Sequence, residues 1–304
     1  MNFSASRTGL LLRCQYWARP DIQGPPDEQS EKAAYGTRVH ELAEQIAKGK
    51  YKFVASDGSP ELKDALALVE YIKRLPGDPF YEIKLAYDPT TRTARTLVNP
   101  DARDYTECSP TELPGTADFI SLDVDTAYVV DYKTGSTSWE AYKDQLNFLA
   151  LAACRKRGVK RAVCIVLKVF GGETYDRAWV LEEEDVNAFE EELIRIATNI
   201  PTAQPQPGVH CVGQFCRLAG TCPASKATIT GATDINMDQV FIDGSIKDDE
   251  HFRELYEVRR LLKRSEQDLT QAIQKYVGEE RLIELRSGKR YGKVNGKFQE
   301  KKGV

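Results

Sequence analysis

Two acidic residues and a lysine near the middle of the chain have the types and the spacing for metal-assisted phosphate chemistry. Asp118 ends a Gly-Thr-Ala-Asp segment that begins at Gly115, and Asp131 and Lys133 flank Tyr132. Side chains alternate between the two faces of a strand, so Asp131 and Lys133 point the same way. Carboxylate oxygens suit Mg²⁺ or Mn²⁺. A lysine ammonium can steady a hydroxide nucleophile or the charge that develops on phosphorus.

The residues between these two segments predict a β-hairpin that brings them together. Residues 121–128 have the pattern of a strand end, a tight polar turn and a second strand. A hairpin of this kind places Asp118 alongside Asp131 and Lys133, so two carboxylates and one ammonium converge. An isolated Asp-x-Lys is most often a solvated surface pair, and the functional interpretation therefore depends on other motifs.

A second group of chemically capable residues consists of cysteines, of which the chain has seven. Cys211, Cys216 and Cys222 form the pattern C-x4-C-x5-C in a loop flanked by Gly and Pro, and Cys14 is the best candidate for a fourth thiolate. In a chain without an export signal, clustered cysteines indicate metal more often than a disulfide. Four thiolates can hold a [4Fe–4S] cluster or one Zn²⁺, and His210 can replace a cysteine in a zinc site.

The overall composition is that of an ordinary globular protein, with 41% hydrophobic residues, 29% charged residues and a net charge of −4. The sequence lacks a membrane-spanning apolar run and an export pattern, which predicts a cytoplasmic protein. A net negative chain binds nucleic acid only through locally clustered positive charge. One basic cluster lies at residues 155–161, and the candidate DNA-binding residues elsewhere are Arg38, Arg286, Lys289, Arg290 and Lys293.

The elements that position these residues follow helical and strand-like patterns in turn. Helices are predicted near residues 5–16, 30–48, 60–74, 138–157 and 183–198. Strands are predicted near residues 80–87, 94–98, 116–123, 127–133, 161–169 and 175–181. This order predicts an α/β fold with a mixed central sheet flanked by helices. Two polar residues fall on predicted helices, His40 at the edge of an apolar face and Gln145 near a helix start.

By composition the chain divides into three regions. Residues 1–225 carry all of the motifs above. Residues 226–247 are rich in Thr, Asp, Gly and Ser and have the character of a linker. Residues 248–304 combine a long amphipathic helix, predicted from 249 to 277, with a basic hairpin or tail.

The order of the motifs resembles the RecB-like branch of the PD-(D/E)xK nucleases over roughly residues 1–225. The similarity is greatest to the iron–sulfur members, which include the AddB nuclease domain, the CRISPR-adaptation nucleases and related phage-encoded proteins. It rests on one serial order: Cys14, His40, Gly115-x-x-Asp118, Asp131-x-Lys133, Gln145, Cys211, Cys216 and Cys222. Leu149 stands where the family usually has tyrosine, and the first cysteine spacing is x4 where x2 is commoner.

This resemblance implies a PD-(D/E)xK, restriction-endonuclease-like core. A [4Fe–4S] cluster, with zinc as the alternative, would staple its two ends through Cys14, Cys211, Cys216 and Cys222. The resemblance also implies Mg²⁺ or Mn²⁺ held by His40, Asp118 and Asp131, with Lys133 and Gln145 completing the catalytic set.

The predicted function is that of a divalent-metal-dependent DNA nuclease. The family favours an exonuclease acting on DNA ends or single strands. By analogy, the expected setting is phage-type DNA recombination, replication or repair, with DNA and phage recombination or replication proteins as partners. The alternative is a catalytically weak or inactive DNA-binding or assembly module that keeps the fold and the four-cysteine metal site. Leu149 favours this alternative, whereas intact Asp118, Asp131 and Lys133 argue against it.

Overall fold

The computed structural model describes most of the first two thirds of the chain and short parts of the remainder. The described residues are 3–22, 31–52, 58–99, 105–135, 138–206, 216, 218, 222–224, 274, 282–284, 290–294 and 297–301. The chain forms two compact units, residues 1–204 and residues 205–304. Within the described ranges, no helix combines the length and the apolar character needed to cross a membrane.

The first unit is built around a mixed β-sheet. Its strands are β1 (Asp78–Asp88), β2 (Thr93–Thr96), β3 (Leu113–Leu122), β4 (Thr126–Lys133), β5 (Arg161–Phe170) and β6 (Glu173–Leu181). Across the described residues the order is β2-β1-β3-β4-β5-β6. The pairing of β4 with β5 is parallel, and the other neighbours are antiparallel. Parallel neighbours need a crossover connection, and here a helix supplies it.

Helices cover both faces of this sheet. They are α1 (Thr8–Arg13), α2 (Glu31–Ala47), α3 (Pro60–Ile72), α4 (Lys143–Arg157) and α5 (Glu183–Asn199). α2 and α3 pack on one face, against Phe119, Val130, Ile165 and other alternate strand residues. α4 forms the crossover between β4 and β5 and lies on the opposite face, where the Cys164 thiol is 3.8 Å from the carbonyl oxygen of Leu146.

Most of the elements predicted from the sequence are present within a few residues of their expected bounds. The mixed α/β fold is therefore confirmed, whereas the stapling of its ends by a metal cluster stays a prediction. The first predicted helix, 5–16, is shorter than expected. A 3₁₀ turn at Ala5–Arg7 leads into α1, and a second 3₁₀ turn follows at Tyr16–Ala18. Cys14 lies between α1 and this second turn, in extended backbone.

Gly115, the glycine of the first acidic motif, is a point of close packing. A Cβ atom at this position would lie 2.6 Å from the Cβ atom of Ala5 and 3.0 Å from side-chain atoms of Leu149 and Phe148. These neighbours come from the N-terminal 3₁₀ turn and from α4. Leu149 is completely buried. The leucine that replaces the family's usual tyrosine therefore fills the core beside the motif glycine.

Replacing Gly115 with alanine is expected to destabilise the protein by about 1–3 kcal/mol, because the added methyl group overpacks a filled core. The measurement is the free energy of unfolding in urea. Gly58→Ala is the matched control, since nothing lies within 4 Å of a Cβ atom at Gly58. Equal stability of the two variants would contradict the packing role given to Gly115.

The described part of the second unit contains a small antiparallel sheet in the order β7-β8-β9, with β7 at Leu282–Glu284, β8 at Arg290–Val294 and β9 at Lys297–Lys301. β8 and β9 form a hairpin in which Arg290 pairs with Lys301. This hairpin falls in the region predicted to be a basic hairpin or tail. The predicted helix 249–277 lies outside the described residues except for Gln274, which is helical.

Candidate active site

The hairpin predicted between the two acidic motifs is present and joins them. β3 and β4 are connected by a tight turn in which the Asp123 amide donates to the carbonyl oxygen of Thr126 at 3.0 Å. At the open end of the hairpin, the last paired residues are Phe119 and Val130. Asp118 and Asp131 are the next residue of each strand beyond that pair. The backbone amide of Tyr132 donates to Asp118 Oδ2 at 2.5 Å. This hydrogen bond fixes the first acidic side chain against the strand that carries the second.

Asp131 is held by two neighbours and is almost completely enclosed. Its side chain is 3% exposed, and its Oδ2 atom lies 2.6 Å from Lys133 Nζ. Gln145, in the first turns of α4, donates from Nε2 to Asp131 Oδ1 at 2.7 Å. Oδ2 has no aligned hydrogen bond among the described residues, although the lysine is so close. A lone pair of this buried oxygen therefore remains for a cation or a water molecule.

His40 reaches the same place from α2, on the other side of the hairpin. Its Nδ1 atom lies 3.2 Å from Asp118 Oδ1. Its ring packs edge-on against the ring of Tyr132, with the centroids 5.5 Å apart. The helix approaches the strand closely at Gly36, where a Cβ atom would lie 3.0 Å from Thr134 Oγ1. The glycine four residues before the histidine thus brings this turn of α2 against the end of β4.

The structure adds one residue that the sequence did not predict, Glu82 of β1. Tyr81 pairs with Phe119 and Ile83 pairs with Ala117, so Glu82 stands opposite Asp118. The φ angle of Glu82 is +48°, in the left-handed region that non-glycine residues seldom adopt. Strained backbone of this kind costs about 1–3 kcal/mol and collects at functional sites. The distortion falls at the residue of β1 that faces the first acidic motif, where the register with β3 has no Cα partner.

Burial and mutual repulsion shift the pKa values of the three carboxyl groups in different directions. Burial disfavours the charged form of Glu82, and Asp118 adds to this effect, so the pKa of Glu82 rises to about 8. Burial also raises the pKa of Asp131, against the opposing effect of the Lys133 ammonium. On Asp118, burial acts in the same direction, but His40 and Lys133 outweigh it and lower the pKa.

The donor set fits a divalent metal ion. Ligand atoms of His40, Glu82 and Asp118 all lie within 4.8 Å of one another. The carboxyl groups of Glu82 and Asp118 belong to this set, and that of Asp131 lies beside it. The negative charge of Asp118 raises the pKa of both Glu82 and Asp131. A bound cation would supply the missing positive charge and favour the charged form of all three. One imidazole nitrogen with carboxylate oxygens suits Mn²⁺ as well as Mg²⁺.

A model of the PD-(D/E)XK nuclease superfamily matches residues 2–223 of the chain. The chain belongs to the PD-(D/E)XK nuclease superfamily. Asp118 followed by Asp131-x-Lys133 corresponds to the pattern in the superfamily's name, and these nucleases use divalent metal ions. The match includes the nuclease motifs and all six strands of the mixed sheet.

Two solved structures are similar to this chain at low sequence identity. The protein crystallised as SSO0001 has 16% sequence identity to it over 73% of this chain and 86% of the other, with a TM-score of 0.31. An alkaline exonuclease, LHK-Exo from Laribacter hongkongensis, has 10% identity over 66% and 87% of the two chains, with a TM-score of 0.30. No curated protein matches significantly. At these identities and TM-scores, neither structure indicates a substrate for this chain.

The structure brings the predicted catalytic residues together, but not all of the predicted DNA-binding residues belong to the same unit or to the described residues. His40, Asp118, Asp131, Lys133 and Gln145 form one connected network. In the first unit, the guanidinium of Arg38 is paired with Glu61 at 2.9 Å. The other predicted DNA contacts belong to the second unit: Arg290 and Lys293 lie on β8, while Arg286 and Lys289 lie outside the described residues.

The basic cluster at residues 155–161 is largely occupied within the nuclease domain. Arg155 pairs with the buried carboxylate of Glu190 at 2.7 Å. Two more of its residues form ion pairs at the surface, Lys160 with Glu183 and Arg161 with Glu182. The guanidinium of Arg157 stacks over the ring of Phe80. These ion pairs offset the charges of Arg155, Lys160 and Arg161, and DNA contact by this cluster stays a prediction.

Proposed function

We propose that the chain hydrolyses phosphodiester bonds of DNA with a divalent metal ion bound at His40, Glu82, Asp118 and Asp131. The observation that carries the proposal is the connected network around Asp118. One of its oxygens contacts a histidine, the other accepts the amide of Tyr132, and a glutamate faces it from the neighbouring strand. When bound, the ion would stabilise charge on the phosphoryl oxygens and lower the pKa of a water molecule.

The remaining residues have roles that follow from their positions. Lys133, 2.6 Å from Asp131, directs its ammonium toward the metal-binding carboxylates. It positions the attacking water and balances the negative charge that grows as the water displaces a 3′ or 5′ oxygen from phosphorus. Gln145 donates to Asp131 and so fixes the orientation of that carboxylate. Removing such an orienting partner typically lowers metal affinity or activity about 10- to 100-fold.

We infer that the enzyme is an exonuclease, and that it acts in phage-type DNA recombination, replication or repair. The motif order that resembles the RecB-like nucleases supports this inference. The test uses a circular single-stranded DNA and the same DNA made linear, each incubated with Mn²⁺ and with a chelator. An exonuclease degrades only the linear form, and only with the metal. Cleavage of the circle at an equal rate would show an endonuclease instead.

The four-cysteine site is a further part of the proposal. Cys14 belongs to the first unit and is buried. Cys216 and Cys222 belong to the second unit, where the Cys222 amide donates to the carbonyl oxygen of Leu218 at 2.7 Å. Cys211 lies outside the described residues. Support comes from the one-plus-three order of the cysteines, which resembles that of the iron–sulfur nucleases.

Protein purified without oxygen is expected to contain about four irons per chain and to absorb in the visible region. Cys216→Ala is expected to lower iron content and melting temperature together, because metal binding is coupled to folding. Cys164→Ala is the control, since that thiol is buried in the first unit, against the helix that crosses between the parallel strands. It should leave the iron content unchanged. One zinc and no iron in the wild-type protein would contradict the iron–sulfur assignment.

A further inference from the structure

We propose that Trp139 and Lys168 form a subsite that stacks one unpaired nucleobase of the substrate strand beside the active site. The inference rests on the proposed nuclease function and adds to it a residue pair outside the catalytic network. Lys168 Nζ lies 4.1 Å from the centroid of the Trp139 ring. The subsite would take a single-stranded segment, because a base within a duplex is already stacked between its neighbours.

The position of the pair follows from the sheet. β4 and β5 are parallel, and Lys168 is aligned with Lys133, so the subsite lies one strand away from the catalytic lysine. Trp139 begins the 3₁₀ turn Trp139–Tyr142, which leads directly into α4 and to Gln145. Tyr142 ends this turn, with its ring centroid 4.8 Å from Lys133 Nζ. One short turn thus supplies an aromatic ring to each of two aligned lysines.

Basic and aromatic side chains continue from this pair toward the edge of the sheet, with the carboxylate of Glu140 among them. On β6, Arg177 is paired with Val166 and Tyr175 with Lys168, which places both on the face that carries Lys168. The pKa of Glu140, in the turn above, is lowered by hydrogen bonds and by the charges of Arg177 and Lys168. Tyr175 is 52% exposed. Lysine and arginine side chains interleaved with aromatic rings are the arrangement that binds single-stranded nucleic acid.

The burial of the turn distinguishes a binding surface from a packing element. None of its four residues is buried, and Trp139 is only half-buried. The next element behaves differently: residues 146–154 of α4 are all buried. A tryptophan that served packing would be expected to face that core. Here the indole instead lies under the ammonium of Lys168, and both side chains are only partly buried.

The test measures binding of single-stranded oligothymidine in the presence of a chelator, so that hydrolysis plays no part. A single abasic nucleotide is moved along the oligonucleotide. For the wild-type protein, affinity is expected to fall on the order of tenfold when the missing base is the one that stacks on Trp139. Trp139→Ala is expected to bind the intact oligonucleotide about tenfold more weakly than the wild type. Its affinity should not depend on where the abasic nucleotide is placed. Trp139→Phe is expected to retain most of the affinity and the sensitivity.

Tyr71→Ala is the matched control, because Arg74 stacks on Tyr71 at 5.2 Å in a similar cation–aromatic pair at the C-terminal end of α3. Its sensitivity to the abasic position should equal that of the wild type. Intrinsic tryptophan fluorescence gives a second readout of base stacking on Trp139. The other two tryptophans are held within the protein: Trp17 is only 4% exposed, and the indole of Trp179 donates a hydrogen bond to Asn147. Oligothymidine is expected to quench wild-type fluorescence and to have little effect on Trp139→Phe.

Two results would overturn the subsite. In the first, Trp139→Ala keeps the wild-type sensitivity to the abasic position. In the second, it loses affinity equally for all oligonucleotides and melts at a lower temperature, as expected if the ring only anchors the turn. Hydrolysis is assayed separately with Mn²⁺. A protein that passes the binding test but cuts nothing would support the subsite and refute the nuclease function. A protein that cuts DNA but fails the binding test would refute the subsite alone.

Discussion

Replacing Lys133 with alanine is expected to slow DNA hydrolysis by about 100- to 1,000-fold while leaving Mn²⁺ binding and DNA binding nearly unchanged. The ammonium lies 2.6 Å from Asp131, and its charge matters most when negative charge grows on the reacting phosphoryl group. A cation bound by the carboxylates would supply positive charge in place of the lysine in the ground state, so the metal site is expected to survive. The measurement is the single-turnover rate on end-labelled DNA, with metal and DNA affinities determined in parallel.

Lys143→Ala is the matched control for this prediction. Lys143 is the first residue of α4 and is exposed, so its removal changes the net charge equally without touching the network. Its rate should stay within about twofold of the wild type, since surface substitutions of this kind have small effects. A Lys133→Ala protein that hydrolyses DNA as fast as this control would remove the lysine from the proposed mechanism.

Replacing Asp118 with asparagine is expected to abolish detectable Mn²⁺ binding at the active site and to reduce hydrolysis by at least about a thousandfold. Asp118 shares a group of potential ligands with His40 and Glu82, and its ionised form is favoured by neighbouring positive charge. Asparagine retains a side-chain oxygen that can accept the Tyr132 amide, so the hairpin should remain folded. Mn²⁺ binding is measured by titration calorimetry at a pH above 8, where Glu82 is largely charged.

Asp123→Asn serves as the control, because it removes an exposed carboxylate from the turn between β3 and β4. This variant should bind Mn²⁺ like the wild type. Retention of the metal by Asp118→Asn, with normal hydrolysis, would show that the ion is held elsewhere and that the group around Asp118 is structural.

The sequence alone predicted the part of the site that depends on local pattern. Alternation along β3 and β4, and the polar turn between them, were enough to place Asp118 beside Asp131 and Lys133. The structure brings His40 and Gln145, which rested on the order of motifs, into the same network. Both residues lie on helices that the sequence predicts, but their roles were implied by the resemblance and not by local pattern.

Glu82 could not be predicted in the same way. It is a single acid in a strand whose neighbours are aromatic and apolar, and nothing local marks it. Its role depends on the register between β1 and β3, which places it opposite Asp118, and on a positive φ angle at that point. Both are tertiary properties, fixed by packing of residues far apart in the chain.

Basic residues were the other feature that sequence reasoning could not resolve. A cluster along the chain, at residues 155–161, proved to be paired with acids brought near by folding. Lys168 and Arg177, which are not neighbours in the sequence, lie on one face of the sheet, where Lys168 contacts Trp139. Charge density along a sequence therefore indicates positive potential only where the partners of each residue are also known.

The most direct test of the central claim is an assay of the wild-type protein on end-labelled single- and double-stranded DNA with Mg²⁺, Mn²⁺ or a chelator. A metal-dependent nuclease is expected to shorten at least one of these substrates with Mn²⁺ or Mg²⁺ and neither with the chelator. If the protein cuts neither substrate with either metal yet still binds DNA, the nuclease function is wrong. The chain is then a DNA-binding or assembly module that retains the fold.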